Sequence, residues 1–73
     1  MASTIYSKEH RNLVQRLKKA RQEAGLDQTA VAKVLGVTQS HISKIESGQR
    51  RIDIVQLKLF VRVYKKKIDY FIK

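Results

Sequence analysis

The chain has no cysteine, no proline and no tryptophan, and only three glycines among its 73 residues. Without cysteine there can be no disulfide, thiolate metal site or cysteine nucleophile, which fits a reducing compartment. Without proline, element boundaries must be set by glycines and capping side chains. Acidic residues are scarce: six Asp and Glu stand against sixteen Lys and Arg, a formal net charge of +10. Such an excess on so short a chain favours a polyanionic partner, nucleic acid first, although basicity alone also serves solubility. Long apolar runs are missing as well. The opening MASTIYSKEH has no signal-peptide pattern, and no stretch reaches the roughly 20 apolar residues of a membrane helix. The expected location is cytoplasmic.

No repeat, low-complexity tract or linker divides the chain. The expectation is one small domain over residues 7–73 with a modest core, preceded by a flexible arm over residues 1–6. Ser7 can cap a first helix, with Glu9 in its first turn, where the positive end of the dipole favours an acid. Leu13, Leu17, Ala20 and Ala24 recur at helical spacing, and Gly25 stops them. Asp27 caps a second helix from about Gln28 to Leu35, in which Val31, Ala32 and Leu35 share a face. Gly36 can end it in the left-handed conformation, and Thr38 can cap a third helix that Gly48 closes. Residues 28–47 therefore read as helix, tight turn, helix. Asp53 and Gln56 form a D-x-x-Q capping box for a fourth helix carrying Leu57, Phe60, Val61 and Tyr64. Lys65 to Lys67 interrupt it, and Ile68, Phe71 and Ile72 supply one more apolar turn that can dock on the first helix. With no strand signal, the fold class is all-α, with five helices.

The third helix is two-faced. Ile42 and Ile45 point to one side, and Ser40, Ser43, Lys44 and Ser47 to the other. Short polar side chains suit a face that must approach another polar surface closely. Gln39 sits at the N-terminal end, where a helix lying in the major groove contacts base edges. A glutamine there can bond bidentately to adenine or simply cap the helix. Lys44 can reach guanine O6 and N7 or only a phosphate. Ser40 and Ser43 can donate to bases or phosphates, or merely let the helix fit the groove. His41 borders this face, as a phosphate contact or an idle exposed ring. Arg50 and Arg51 directly follow the helix, as phosphate clamps or as a solvated loop. The Lys65 to Lys67 run lies away from this face and reads as solvated.

No Ser-His-acid order, paired-carboxylate motif, phosphate-binding glycine loop or metal-ligand cluster is present, and His10 and His41 are the only histidines. The expectation is no catalysis, no metal, no cofactor and no small-molecule ligand.

These residues, from KKARQEAGLDQ through TQSHISKIESG to IDYFI, resemble the lambda-repressor/Cro (XRE-like) family of helix-turn-helix DNA-binding domains, over residues of about 13 to 72. The motifs that carry the resemblance are Gln28, Ala32, Gly36, Thr38-Gln39, Ile42, Glu46 and Gly48. It implies a five-helix, lambda-repressor-like domain that binds double-stranded DNA as a transcriptional regulator; repression is the expected sign, because a small bound domain that blocks a site needs no further machinery, with activation by a contact to polymerase as the alternative. It further implies that Gln28 contacts a phosphate and bonds Gln39, which reads a base. Ser40 and Lys44 take the positions of further base readers, with Ser43 beside them. Arg50 and Arg51 fall in the loop that meets the DNA backbone, and Arg21 and Glu46 where the family has a structural ion pair; from their place on and beside the polar face, His41 and Ser47 are further candidate phosphate contacts. The triple lysine departs from the glycine- or asparagine-containing turn usual before the last helix.

One such helix reads only a few base pairs, so a homodimer on a palindromic operator is expected, with half-sites about 34 Å apart. Tyr70, Phe71 and Ile72 are the candidate interface if they leave an apolar patch uncovered. Two rivals stand beside this reading. One is an antitoxin-like or adaptor module that binds another protein. The other is a basic amphipathic segment over residues 54–73 acting on membrane surfaces.

Overall fold

Four side-chain caps set where the helices begin. Ser7 accepts a hydrogen bond from the His10 amide at 3.1 Å, Asp27 from Ala30 at 2.7 Å, Thr38 from His41 at 3.1 Å and Asp53 from Gln56 at 2.8 Å. Each satisfies an amide that the helix itself leaves unpaired, a contribution of about 1 kcal/mol. They open α1 (Lys8–Glu23), α2 (Gln28–Leu35), α3 (Gln39–Glu46) and α4 (Ile54–Tyr64), and a short α5 (Ile68–Ile72) follows. The structure, a computed structural model, describes residues 7–72, so the arm expected over residues 1–6 lies outside the described residues. Among those residues all regular structure is helical, as the sequence predicts.

The ends are less uniform. Gly36 closes α2 at φ 72°, ψ 30°, and its amide and that of Val37 return to carbonyls of the last turn. At the end of α4 the same job falls to Lys65, at φ 55°, ψ 43°. It is the one non-glycine residue at positive φ among the described residues. The break that no glycine or proline marks is thus made by a lysine held in a left-handed turn. The capping box at α4 is half formed: Asp53 caps, but the Gln56 side chain turns away to His41.

Leu17 from α1, Val31 from α2 and Ile42 and Ile45 from α3 are almost fully buried and form the centre of the core. Leu57, Phe60 and Tyr64 of α4 and Phe71 of α5 close it. On α1 the buried stripe is Val14, Leu17, Ala20 and Arg21: Leu17 and Ala20 are buried as expected, but Leu13 is half-buried, and Ala24 is exposed as the helix cap. Both stripes fit a 3.6-residue period, and an inward-facing arginine disguises the true one.

The last helix docks on the first as expected. Arg16 Nη1 donates to the Tyr70 carbonyl at 3.1 Å, and Lys66 Nζ reaches Glu23 Oε1 at 2.8 Å while lying over the Tyr70 ring. The triple lysine is therefore not only a solvated run. Phe71 is 2% exposed and belongs to the core, so it drops out of the candidate interface; Tyr70 is half-buried and Ile72 exposed. Other exposed apolar side chains stand at the start of α4, Ile54 and Val55. Because residues 57, 60, 64 and 71 are committed to the core, the described part of the 54–73 stretch, residues 54–72, is not a free amphipathic segment. No helix among the described residues is long and apolar enough to cross a membrane.

Candidate nucleic-acid interface

With Ile42 and Ile45 buried against α1 and α2, the helical period turns Gln39, Ser40 and Lys44 to solvent, and Ser43 lies half-buried beside them. The four base-reading candidates thus share the outer face of α3. Close packing of α2 on α3 sets Gln28, the first residue of α2, beside the start of α3.

The polar side chains there form one chain of hydrogen bonds. Arg21 donates from Nε to Glu46 Oε2 at 2.8 Å and from Nη2 to Glu46 Oε1 at 3.1 Å, with Nη1 on the Leu26 carbonyl at 2.9 Å. Gln28 Nε2 donates to Glu46 Oε1 at 3.0 Å, and Gln39 Nε2 donates to Gln28 Oε1 at 2.6 Å. The Arg21–Glu46 pair and the Gln28–Gln39 bond are the contacts that the resemblance implies. The link between Gln28 and Glu46, which joins them into one relay, was not foreseen. Both charged side chains are largely buried, at 11% and 5% exposure, and the hydrogen bond to Glu46 holds the Arg21 pKa above its ordinary value. Removing one partner would leave a charge buried without its mate, at a cost of roughly 3 kcal/mol.

A second cluster fixes the loop after α3. Arg50 Nη1 donates to His41 Nδ1 at 2.9 Å. An arginine can only donate, so Nδ1 accepts and the neutral ring carries its proton on Nε2. Gln56 Nε2 stands 3.2 Å from His41 Nε2; a protonated Nε2 cannot accept from it, so a hydrogen bond there needs the amide turned to present its oxygen. His41 is thus half-buried and engaged at both nitrogens. Sequence reasoning missed Gln56 because its position three residues after Asp53 already had a local explanation, the capping box.

The Lys44 carbonyl gathers the end of the helix, accepting from the Gln49 and Arg50 amides at 3.0 and 3.2 Å and from Ser47 Oγ at 3.1 Å. The single hydroxyl proton of exposed Ser47 points to the Lys44 carbonyl in this structure. Arg50 and Arg51 remain exposed beside it. A buried pair at the base, an aligned amide at the tip, short side chains between and two arginines at the far end can together grip a grooved polyanion.

Residues 17–71 match the family model described as helix-turn-helix. Over 56 residues the chain is also 38% identical to "HTH-type transcriptional regulator PrpR" of Mycobacterium tuberculosis, a match that covers 77% of this chain and 12% of that protein. The chain therefore spans only a small part of the length of this relative.

Proposed function

Because the chain belongs to the XRE-like helix-turn-helix family, we propose that it is a sequence-specific binder of double-stranded DNA that regulates transcription, as a repressor. In this reading α3 enters the major groove. Gln39, Ser40, Ser43 and Lys44 meet base edges, and Gln28, Arg50 and Arg51 meet phosphates. His41 serves the backbone contact through Arg50, whose guanidinium it holds. The observation that carries the reading is the exposed Gln39 amide, held by Gln28 at the first turn of a helix whose outer face is short and polar. The net charge of +10 supplies the sequence-independent attraction. The name of the relative, a transcriptional regulator, supports the regulatory role.

Repression is proposed because a bound domain that blocks a site needs no further machinery. An eight-residue helix touches few base pairs, so the protein acts as a homodimer on a palindromic operator. Selection of sites from a random duplex pool tests all of this. An enriched palindrome is the expected result. Enrichment of nothing above background would reject the DNA-reading proposal in favour of a protein-binding, antitoxin-like or adaptor module.

A further inference from the structure

The sequence of α4 holds more apolar side chains than the core takes up. Leu57, Phe60 and Tyr64 are buried, but Ile54, Val55 and Leu59 are left 57%, 65% and 38% exposed near the start of the same helix. A lone exposed aliphatic residue is ordinary, whereas three neighbours beside a depression mark a surface for another apolar group. The depression is a cleft between α4 and the turn joining α2 to α3. Leu35 and Val37 form one bank, Leu59 and Phe60 the other, and His41 and Gln56 add its polar groups. Gln39, Ser40 and Lys44 do not line it, so it is distinct from the outer face of α3.

Charge decides what fits there. Val55, Lys58, Leu59 and Arg62 stand at i, i+3, i+4 and i+7, one outer face of α4 on which aliphatic and cationic side chains are neighbours. The two helices that wall the cleft carry Lys33 on α2 and Lys58 and Arg62 on α4, all exposed, and neither helix contains an Asp or Glu. None of these three cations meets a carboxylate among the described residues. We propose that the cleft docks an acidic amphipathic helix of a partner protein. Aliphatic side chains of that helix cover Val55 and Leu59 and enter the cleft, while its carboxylates meet Lys58 and Arg62. A second copy of the chain, with its net charge of +10, would set like charges against each other here, so the homodimer proposed above uses another surface. A phosphate backbone would satisfy the cations and leave the aliphatic side chains uncovered.

The test titrates the full chain with a synthetic helical peptide of about 16 residues, leucines along one face and glutamates on the other, and follows amide and methyl NMR shifts. Saturable shifts confined to Val37, Val55, Leu59 and their neighbours are the expected result. Affinity should fall by roughly tenfold or more in the double variant Lys58→Glu, Arg62→Glu and in Leu59→Ser. If Leu59→Ser fails to fold, the double variant decides, because both of its sites are exposed. A shuffled peptide of the same composition, and one with lysine for glutamate, should each bind roughly tenfold more weakly or worse. Equal binding of the shuffled peptide, or no binding of the acidic helix, would overturn the proposal. So would shifts centred on Gln39, Ser40 and Lys44, where the carboxylates would merely imitate phosphate. Shifts at Val55 and Leu59 that grow with protein concentration alone would overturn it in favour of a second copy. The same shifts on phosphatidylglycerol vesicles, with no response to the peptide, would overturn it in favour of a membrane surface. None of these readouts involves DNA, so this proposal and the DNA-reading proposal stand or fall separately.

Discussion

Lys66 Nζ lies 2.8 Å from Glu23 Oε1, joining the connector between α4 and α5 to the last turn of α1. The hydrogen bond from Lys66, with its charge, holds the Glu23 carboxyl below the usual carboxylate range, and the same bond raises the Lys66 pKa. A carboxyl lowered in the folded state contributes stability above its unfolded pKa and loses it as pH falls through the folded one. A raised lysine contributes below its unfolded pKa, 10.5, and loses it as pH rises through the folded one. The contribution is therefore full in the neutral range and fades at both extremes. Lys66→Ala is expected to melt lower than wild type near neutrality, and the gap should narrow below pH 4.5. Thermal melts across that range check it; a gap that stays constant would remove the pair from the stability of the connector.

Lys65 occupies a left-handed turn at φ 55°. A side chain there costs about 1–2 kcal/mol that glycine avoids, offset in part by the greater freedom glycine gains when unfolded. Lys65→Gly is expected to stabilise the domain by about 0.5–1 kcal/mol, a rise of roughly 3–6 °C in melting temperature. A lower melting temperature would mean that the lysine side chain holds this turn by a contact of its own.

The Tyr64 hydroxyl is buried and has no hydrogen-bond partner among the described residues. Burial raises its pKa, with the negative charge of Glu46 adding to the effect, so the hydroxyl stays protonated. Tyr64→Phe removes an unsatisfied polar group and keeps the ring that packs 5.6 Å from Phe60. Stability should be unchanged or higher by up to about 1 kcal/mol. Urea denaturation decides; a loss of more than about 1 kcal/mol would reveal a partner for the hydroxyl.

Legibility in the sequence tracked the range of the interaction. Ser7, Asp27, Thr38 and Asp53 announced their helices because a cap is a contact over three residues, and Gly36 announced its turn because few other residues tolerate that backbone. On the inward face of α1, Leu17 and Ala20 were legible but Val14 and Arg21 were not, because Arg21 looks like a surface residue until its partner, 25 residues on, is in place. That pair, and the Gln28–Gln39 bond, were legible only through the family resemblance. The Gln28–Glu46 and His41–Gln56 contacts were not legible at all. Each joins side chains from different helices, and each of these residues had an adequate local reading as a cap, a surface polar group or a helix opener. Lys65 was hidden for the opposite reason: its sequence neighbourhood offers no glycine, and the tertiary docking of α5 imposes the turn.

In the proposed reading Lys44 and Arg50 separate base reading from backbone binding, because one stands on the outer face of α3 and the other is tethered by His41 in the loop behind it. If Lys44 reads a base, Lys44→Ala should relax preference at one position of each half-site, by roughly 1–3 kcal/mol of lost discrimination. If Arg50 meets a phosphate, Arg50→Ala should weaken binding to all sequences alike and reduce the slope of log affinity against log salt by about one. His41→Ala should follow Arg50→Ala in kind but fall short of it, because the arginine remains and only its anchor is lost. Binding isotherms on the selected operator and on single-position variants, at three or more salt concentrations, distinguish the two behaviours. If Lys44→Ala lowers the salt slope and leaves the base ratios unchanged, Lys44 belongs with the phosphate contacts, and the reading face contracts to Gln39, Ser40 and Ser43.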